Sequence, residues 1–215
     1  QAPAVTALTP NDISVKTGDY EAVFSKEGGC LKNYKLTNQK FQDDFNIDGS
    51  SLQSAETALM KPFALEFYLA SSSSPVVIND SKTVYELKQE KSGPAEKFLF
   101  SAVIPAGDSV SVGVTKTFVI DHSQKLIKFS VKVKNASKST LSLSNEKNAG
   151  FAINFLPNIG KNSHDDELIA NFGGSLYKTI VTSKDYKHDF KTTDPNITRW
   201  MAIRDSYYAA IISFD

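Results

Sequence analysis

The sequence has one cysteine, Cys30, and its 24 basic residues include only two arginines, Arg199 and Arg204. A lone cysteine permits no internal disulfide framework and no thiolate cluster for zinc. Its neighbours, Lys26-Glu27-Gly28-Gly29, also lack the small-residue context of a lipid-attachment cysteine. Scarce arginine removes the side chain best suited to bidentate contacts with phosphate and base edges. The 24 basic residues are matched by 24 acidic ones, for a net charge of +0. A nucleic-acid partner, which would call for a strongly basic face, is therefore not expected. No apolar run approaches the roughly 18 to 20 residues that cross a bilayer. The charge-free stretch Ser206–Phe214 is too short, and no basic-then-apolar signal peptide opens the chain. Also missing are a Gly-x-Ser-x-Gly elbow, a phosphate-binding P-loop and an HExxH metal motif. These absences predict a soluble, noncatalytic chain without cofactor or metal, and they are compatible with a piece of a larger protein.

What is present is alternation. The 215 residues are 40% hydrophobic and 22% charged, and suit one large domain with an ample core. Residues 1–10, with two prolines and little periodicity, read as a linker or frayed end. The domain then runs over 11–215. Phe63, Leu65, Phe67 and Leu69 recur at period two, as do Phe98, Phe100, Ala102 and Ile104. Val110, Val112 and Val114 lead through Lys116 to Phe118 and Ile120. Ile127, Phe129, Val131 and Val133 alternate with Lys128, Ser130, Lys132 and Lys134. Such a pattern gives each strand one core face and one wet face, as in antiparallel sheets. Turn chemistry separates the runs at Ser92-Gly93-Pro94, Pro105-Ala106-Gly107-Asp108, Asp121-His122-Ser123 and Asn135-Ala136-Ser137-Lys138.

Further strands are expected at Tyr20–Ser25, Leu31–Leu36, Val84–Gln89, Leu141–Ser144, Phe151–Phe155, Leu176–Val181 and Trp200–Phe214. The spacing of Leu52, Ala55, Leu59 and Met60 predicts a short helix after Asp48-Gly49-Ser50-Ser51. No internal repeat is visible. More than ten strands in one domain predict an all-β, mainly antiparallel fold, a large two-sheet sandwich with at most short helices.

Few residues invite a chemical role. His122 falls in a turn and reads as solvated, and His188 sits in the polar run Lys187-His188-Asp189. His164-Asp165-Asp166-Glu167 is the one ligand-like cluster. Consecutive residues on an extended chain point to opposite faces, so it reads as a solvated acidic loop. Asp43-Asp44 and Asp165-Asp166 are neighbours rather than carboxylates flanking a substrate. The sequons at Asn79, Asn135 and Asn196 are short patterns expected by chance. Gly28-Gly29 and Gly173-Gly174 lie between strand-like runs and predict turns, not phosphate cradles, because no helix follows them. Trp200, Tyr207 and Tyr208 are suited to stacking on a sugar ring and also to ordinary packing.

Four segments, in order, carry a resemblance. The run from Tyr20 to Leu36, with Ala22-Val23-Phe24-Ser25 leading into Gly28-Gly29 and Leu31, resembles the opening of the periplasmic domain of the bacterial YidC insertases. Thr115-Lys116-Thr117-Phe118 is similar to a strand of that family, and Phe172-Gly173-Gly174 with Tyr177 resembles its Gly-x-x-Tyr region. Trp200-Met201-Ala202-Ile203-Arg204-Asp205-Ser206-Tyr207-Tyr208-Ala209-Ala210 resembles its Trp-x-Ala segment, so the likeness spans Tyr20 to Ala210.

The resemblance implies a β-supersandwich similar in architecture to galactose mutarotases. It also implies a parent anchored in the inner membrane by helices absent from this chain, which inserts and folds membrane proteins. The family's domain usually continues further, so this chain is expected to lack a final membrane-proximal part. The implied role is noncatalytic, a scaffold or docking surface. Its partners would be Sec-translocon subunits or nascent membrane proteins, met at a surface the residues do not identify. The alternative is a carbohydrate-binding or aldose-epimerase-like sandwich using Trp200, Tyr207 or Tyr208.

Overall fold

The computed structural model describes residues 8–37, 61–70, 76–107, 110–123, 126–144 and 150–154. It also describes the backbone of four strands, 166–172, 175–181, 198–204 and 209–213. The described residues form fourteen strands, every pairing antiparallel. In chain order these are β1 (Asp12–Lys16), β2 (Tyr20–Ser25), β3 (Cys30–Leu36), β4 (Leu65–Leu69), β5 (Val76–Asn79), β6 (Glu86–Ser92) and β7 (Ala95–Gly107). There follow β8 (Val110–Asp121), β9 (Leu126–Asn135), β10 (Phe151–Ile153), β11 (Asp166–Phe172), β12 (Ser175–Val181), β13 (Thr198–Arg204) and β14 (Ala209–Ser213).

The strands hydrogen-bond in four groups, ordered β1-β2-β3, β10-β4-β5, β6-β7-β8-β9 and β12-β11-β13-β14. The all-β, antiparallel expectation holds, and the packing is that of a sandwich. β8 shows why: Val112, Val114, Lys116, Phe118 and Ile120 are all buried while the residues between them are not. This face, with Phe98 and Phe100 of β7, meets Val15, Tyr20, Ala22, Phe24 and Leu31 from the first group and Leu65 and Phe67 from the second. Phe24 stacks on Phe98 at 5.0 Å between ring centroids and lies 5.1 Å from Phe118. Phe63 and Phe129 complete the cluster, each 4.7 to 5.3 Å from a neighbouring ring. Aromatic contacts at these separations add directional attraction to the burial of area.

The turn expected at Gly28-Gly29 is present, while Gly173-Gly174 lie outside the described residues. The loop between β2 and β3 places Gly28 and Gly29 at φ values of 82° and 51°, which L side chains adopt at a cost. A Cβ on Gly29 would also stand 3.2 Å from both Phe100 and Tyr85. Other expectations are amended. Trp200–Phe214 is not one strand but the antiparallel pair β13 and β14, with Arg204 opposite Ala209. The acidic cluster does not end in loop, since Asp166 and Glu167 open β11. Of Leu141–Ser144, only Leu143 forms a bridge, to Leu69. β1, β5 and β11 were not among the expected strands. The helix expected over Leu52–Met60 lies outside the described residues.

Candidate functional site

Two polar assemblies join the layers. The larger is built on Lys116, which the alternation of β8 directs into the core and which has no exposed surface. Its Nζ donates to Asp80 Oδ2 at 2.7 Å, to the Gly28 carbonyl at 2.6 Å and to the Phe63 carbonyl at 2.8 Å. Three donations require the protonated ammonium, and they use every hydrogen it has. Burial pulls this ammonium below its ordinary value, and the carboxylate of Asp80 opposes that pull.

Asp80 is fully buried as well. Its Oδ1 accepts the Leu65 N–H at 2.7 Å, and its Oδ2 also accepts the Tyr85 hydroxyl at 2.5 Å. Burial, and then the charge of Asp80, push the Tyr85 phenol far up, so it stays a proton donor. The Tyr85 ring lies under the ammonium, 5.1 Å from Nζ to its centroid. The two carbonyl acceptors share a backbone feature. Gly28 has φ 82°, and Phe63, at φ 67°, is the one non-glycine residue of positive φ among the described residues. Left-handed backbone at a bulky residue costs about 1–2 kcal/mol. Here it coincides with a carbonyl turned onto a buried cation.

Beside this centre, Lys61 Nζ reaches Glu27 Oε1 at 2.6 Å and the Ser81 carbonyl at 2.9 Å. Cys30 is buried nearby, its thiol pushed up to about 11 by burial. A thiol so placed is a poor nucleophile at neutral pH.

The second assembly corrects the reading of His122 as a solvated turn residue. Its Nδ1 lies 3.2 Å from the Tyr20 hydroxyl, and its Nε2 lies 3.6 Å from Glu96 Oε2. Glu96 is held in turn by Gln89, whose Nε2 donates to Oε1 at 2.7 Å. Tyr20 stacks on Tyr34 at 5.0 Å and on His122 at 6.4 Å. A carboxylate that orients an imidazole beside a hydroxyl has the outline of a proton relay. Activation would need a phenol that ionises readily. Burial, then the charges of Glu96 and Asp19, instead push the Tyr20 hydroxyl up. The geometry can clamp β2 to the β7–β8 layer, and it does not prepare a nucleophile.

Of the residues singled out for stacking, Trp200 is half-buried on β13, and Tyr207 and Tyr208 lie outside the described residues. His164, Asp165 and His188 also lie outside them. Asn79 is not a free sequon, because its amide donates to Glu66 Oε1 at 3.3 Å and its Oδ1 accepts the Ser81 N–H at 2.8 Å. Among the described residues no three His, Cys, Asp or Glu side chains gather in a metal-holding group, and no helix is long and apolar enough to cross a membrane. The structure brings together Lys116, Asp80, Tyr85, Tyr20, His122 and Glu96, none of which was a candidate from sequence. The signal for Lys116 was present: a cation at an inward position of an otherwise apolar strand.

Compared with protein families, residues 12–213 match the YidC periplasmic domain. The chain belongs to that family. The match spans β1 to β14 and takes in all four segments that carried the resemblance. Neither curated proteins nor solved structures yielded a match. As a YidC periplasmic domain, the chain is the insertase-associated portion of a bacterial inner-membrane protein, and its place is the periplasm. Lys116 lies within the Thr-Lys-Thr-Phe strand of the resemblance, and Gly28 within its opening motif.

Proposed function

We propose that this YidC periplasmic domain is a noncatalytic scaffold, offering a docking surface to the Sec translocon or to membrane proteins as they emerge. The family match over residues 12–213 carries the proposal. Its support in chemistry is that both polar assemblies are occupied with holding layers together. Lys116 has its three hydrogens engaged, and the phenols of Tyr20 and Tyr85 are pushed away from ionisation. A general acid or base needs a group poised near the working pH with room for a substrate beside it.

The test is made in the parent protein. The domain is deleted, or replaced by an unrelated β-sandwich of similar size. Translocon contacts are then measured by crosslinking, and client insertion by protease protection. Loss of contacts, or of insertion for some clients, with the membrane-embedded part intact is the expected result. Unchanged contacts and unchanged insertion of every client would overturn it.

A further inference from the structure

We infer that the outward face of β9 is a docking surface for the anionic headgroups of the bilayer. Along this strand Ile127, Phe129, Val131 and Val133 pack against the core, so the even-numbered residues face out. Three of these are Lys128, Lys132 and Lys134, all exposed and none in an ion pair among the described residues. At about 6.8 Å for every second residue, the row extends about 20 Å.

The neighbouring positions on the same face are short or uncharged. Lys132 lies opposite Thr115 and Lys134 opposite Gly113, while Lys128 lies opposite Val119. Exposed aliphatic side chains stand at the two ends of the row. Leu126 is on β9 itself, and Val103 pairs with Gly113 beside Lys134. Among the described residues, the nearest acidic group on this face is Asp121, opposite Leu126. Glu86 and Glu90 lie two strands further off on β6, and Glu90 is bound to Lys88 and Lys97 at 2.8 and 3.4 Å.

An exposed β face with a row of lysines in no ion pair among the described residues, and an aliphatic group at each end, fits a charged plane with an apolar layer beneath it. The ammonium groups would meet phosphates, and the aliphatic groups the headgroup boundary. A domain on the periplasmic side of an inner-membrane protein has such a plane within reach at high effective concentration. The net charge of +0 means that attraction must come from this local row and not from the whole molecule. The inference is separate from the translocon-docking reading and stands or falls without it.

The 215-residue chain is mixed with vesicles of equal parts phosphatidylglycerol and phosphatidylcholine at low salt, and binding is read by flotation. Binding that weakens with salt and is absent from pure phosphatidylcholine is expected. The variant K128Q/K132Q/K134Q should bind about a hundredfold more weakly, at about fivefold per lysine near an anionic surface. K16Q/K82Q/K91Q, with the same change in charge at other exposed lysines, should bind as the parent does. Equal weakening in both variants, or no binding to anionic vesicles, would overturn the inference. So would binding to soluble polyglutamate without binding to vesicles, which would point to an acidic protein segment. Lysines on an edge strand also discourage edge-to-edge pairing. Self-association of the triple variant with unchanged vesicle binding would reduce the row to that role and likewise overturn the inference.

Discussion

At the scale of single residues, the feature that sets this sandwich apart is a cation where the strand pattern asks for an aliphatic side chain. A buried ion pair is weak evidence of stability in itself, because desolvation offsets much of the attraction. Removing one partner is different, since it strands the other. In Lys116→Met the carboxylate of Asp80 would keep only the Leu65 N–H and the Tyr85 hydroxyl, and the Gly28 and Phe63 carbonyls would lose their donor. The expected loss is about 3–5 kcal/mol in urea unfolding at neutral pH. In K116M/D80N the stranded charge is gone, so the double variant should lose less than the sum of the two singles, with a coupling of about 1–3 kcal/mol. A loss below about 1 kcal/mol for the single variant would mean that water reaches the centre and solvates it.

The position of this lysine was legible in the sequence, and its meaning was not. Period two placed residue 116 inward, but its carbonyl partners lie 88 and 53 residues away along the chain. No local pattern encodes such a meeting. His122 was misread for the same reason, since its phenol partner is 102 residues distant.

At the scale of elements, legibility followed the length and purity of the alternation. β7, β8 and β9, at 13, 12 and 10 residues, were plain, while β1 and β5, at 5 and 4, offered too few repeats to register. Residues 205–208, between β13 and β14 in sequence, include no glycine or proline, which is why two strands read as one. β1 also carries a pH-dependent tie. The register of β2 on β3 shifts between Val23 and Phe24, leaving Lys32 as the extra residue of a bulge. Its Nζ reaches Asp12 Oδ2 at 2.7 Å, and the Asp12 side chain is only 1% exposed. Burial pushes the Asp12 carboxyl up, but hydrogen bonds from Lys32 and Thr9, with a contribution from Ser25, outweigh it and hold it below its ordinary 3.8.

A carboxyl depressed in the folded state binds fewer protons there than in the unfolded chain. Its stabilisation is therefore complete above the unfolded value and is lost as pH falls through the folded one. Acid titration followed by fluorescence should show part of the loss of stability below pH 3.8 traceable to this group. Lys32→Met removes the first of the groups that hold the carboxyl down and leaves burial as the main influence on it, so that part of the acid limb should shrink or reverse, with lower stability at neutral pH. An acid limb identical in the two proteins would show that the Lys32 contact does not set the Asp12 proton equilibrium.

At the scale of the whole molecule, the three best-described sheets share one aromatic core, with Phe24 from the first sheet, Phe67 from the second and Phe98, Phe100 and Phe118 from the third. Shared packing of this kind couples the layers, so exposing any part of the centre should require opening much of the domain. Cys30 offers a way to measure this. It opens β3, is 1% exposed, and sits against the buried polar centre, where Lys61 and Lys116 lower its proton affinity less than burial raises it. Moving a thiol from its ordinary 9.0 to about 11 cuts the thiolate population about a hundredfold near pH 8, before steric exclusion is counted. Labelling by a thiol reagent at pH 8 should therefore run at least about a thousandfold slower in the folded chain than in urea. It should also accelerate with denaturant along the same curve as global unfolding. The Lys116→Met variant, if it loosens the layers together, should raise the native labelling rate by the factor that its loss of stability dictates. Labelling that is fast in the native state, or that rises well before the global transition, would show instead that β2 and β3 open as a separate unit and that the shared core does not make the layers cooperative.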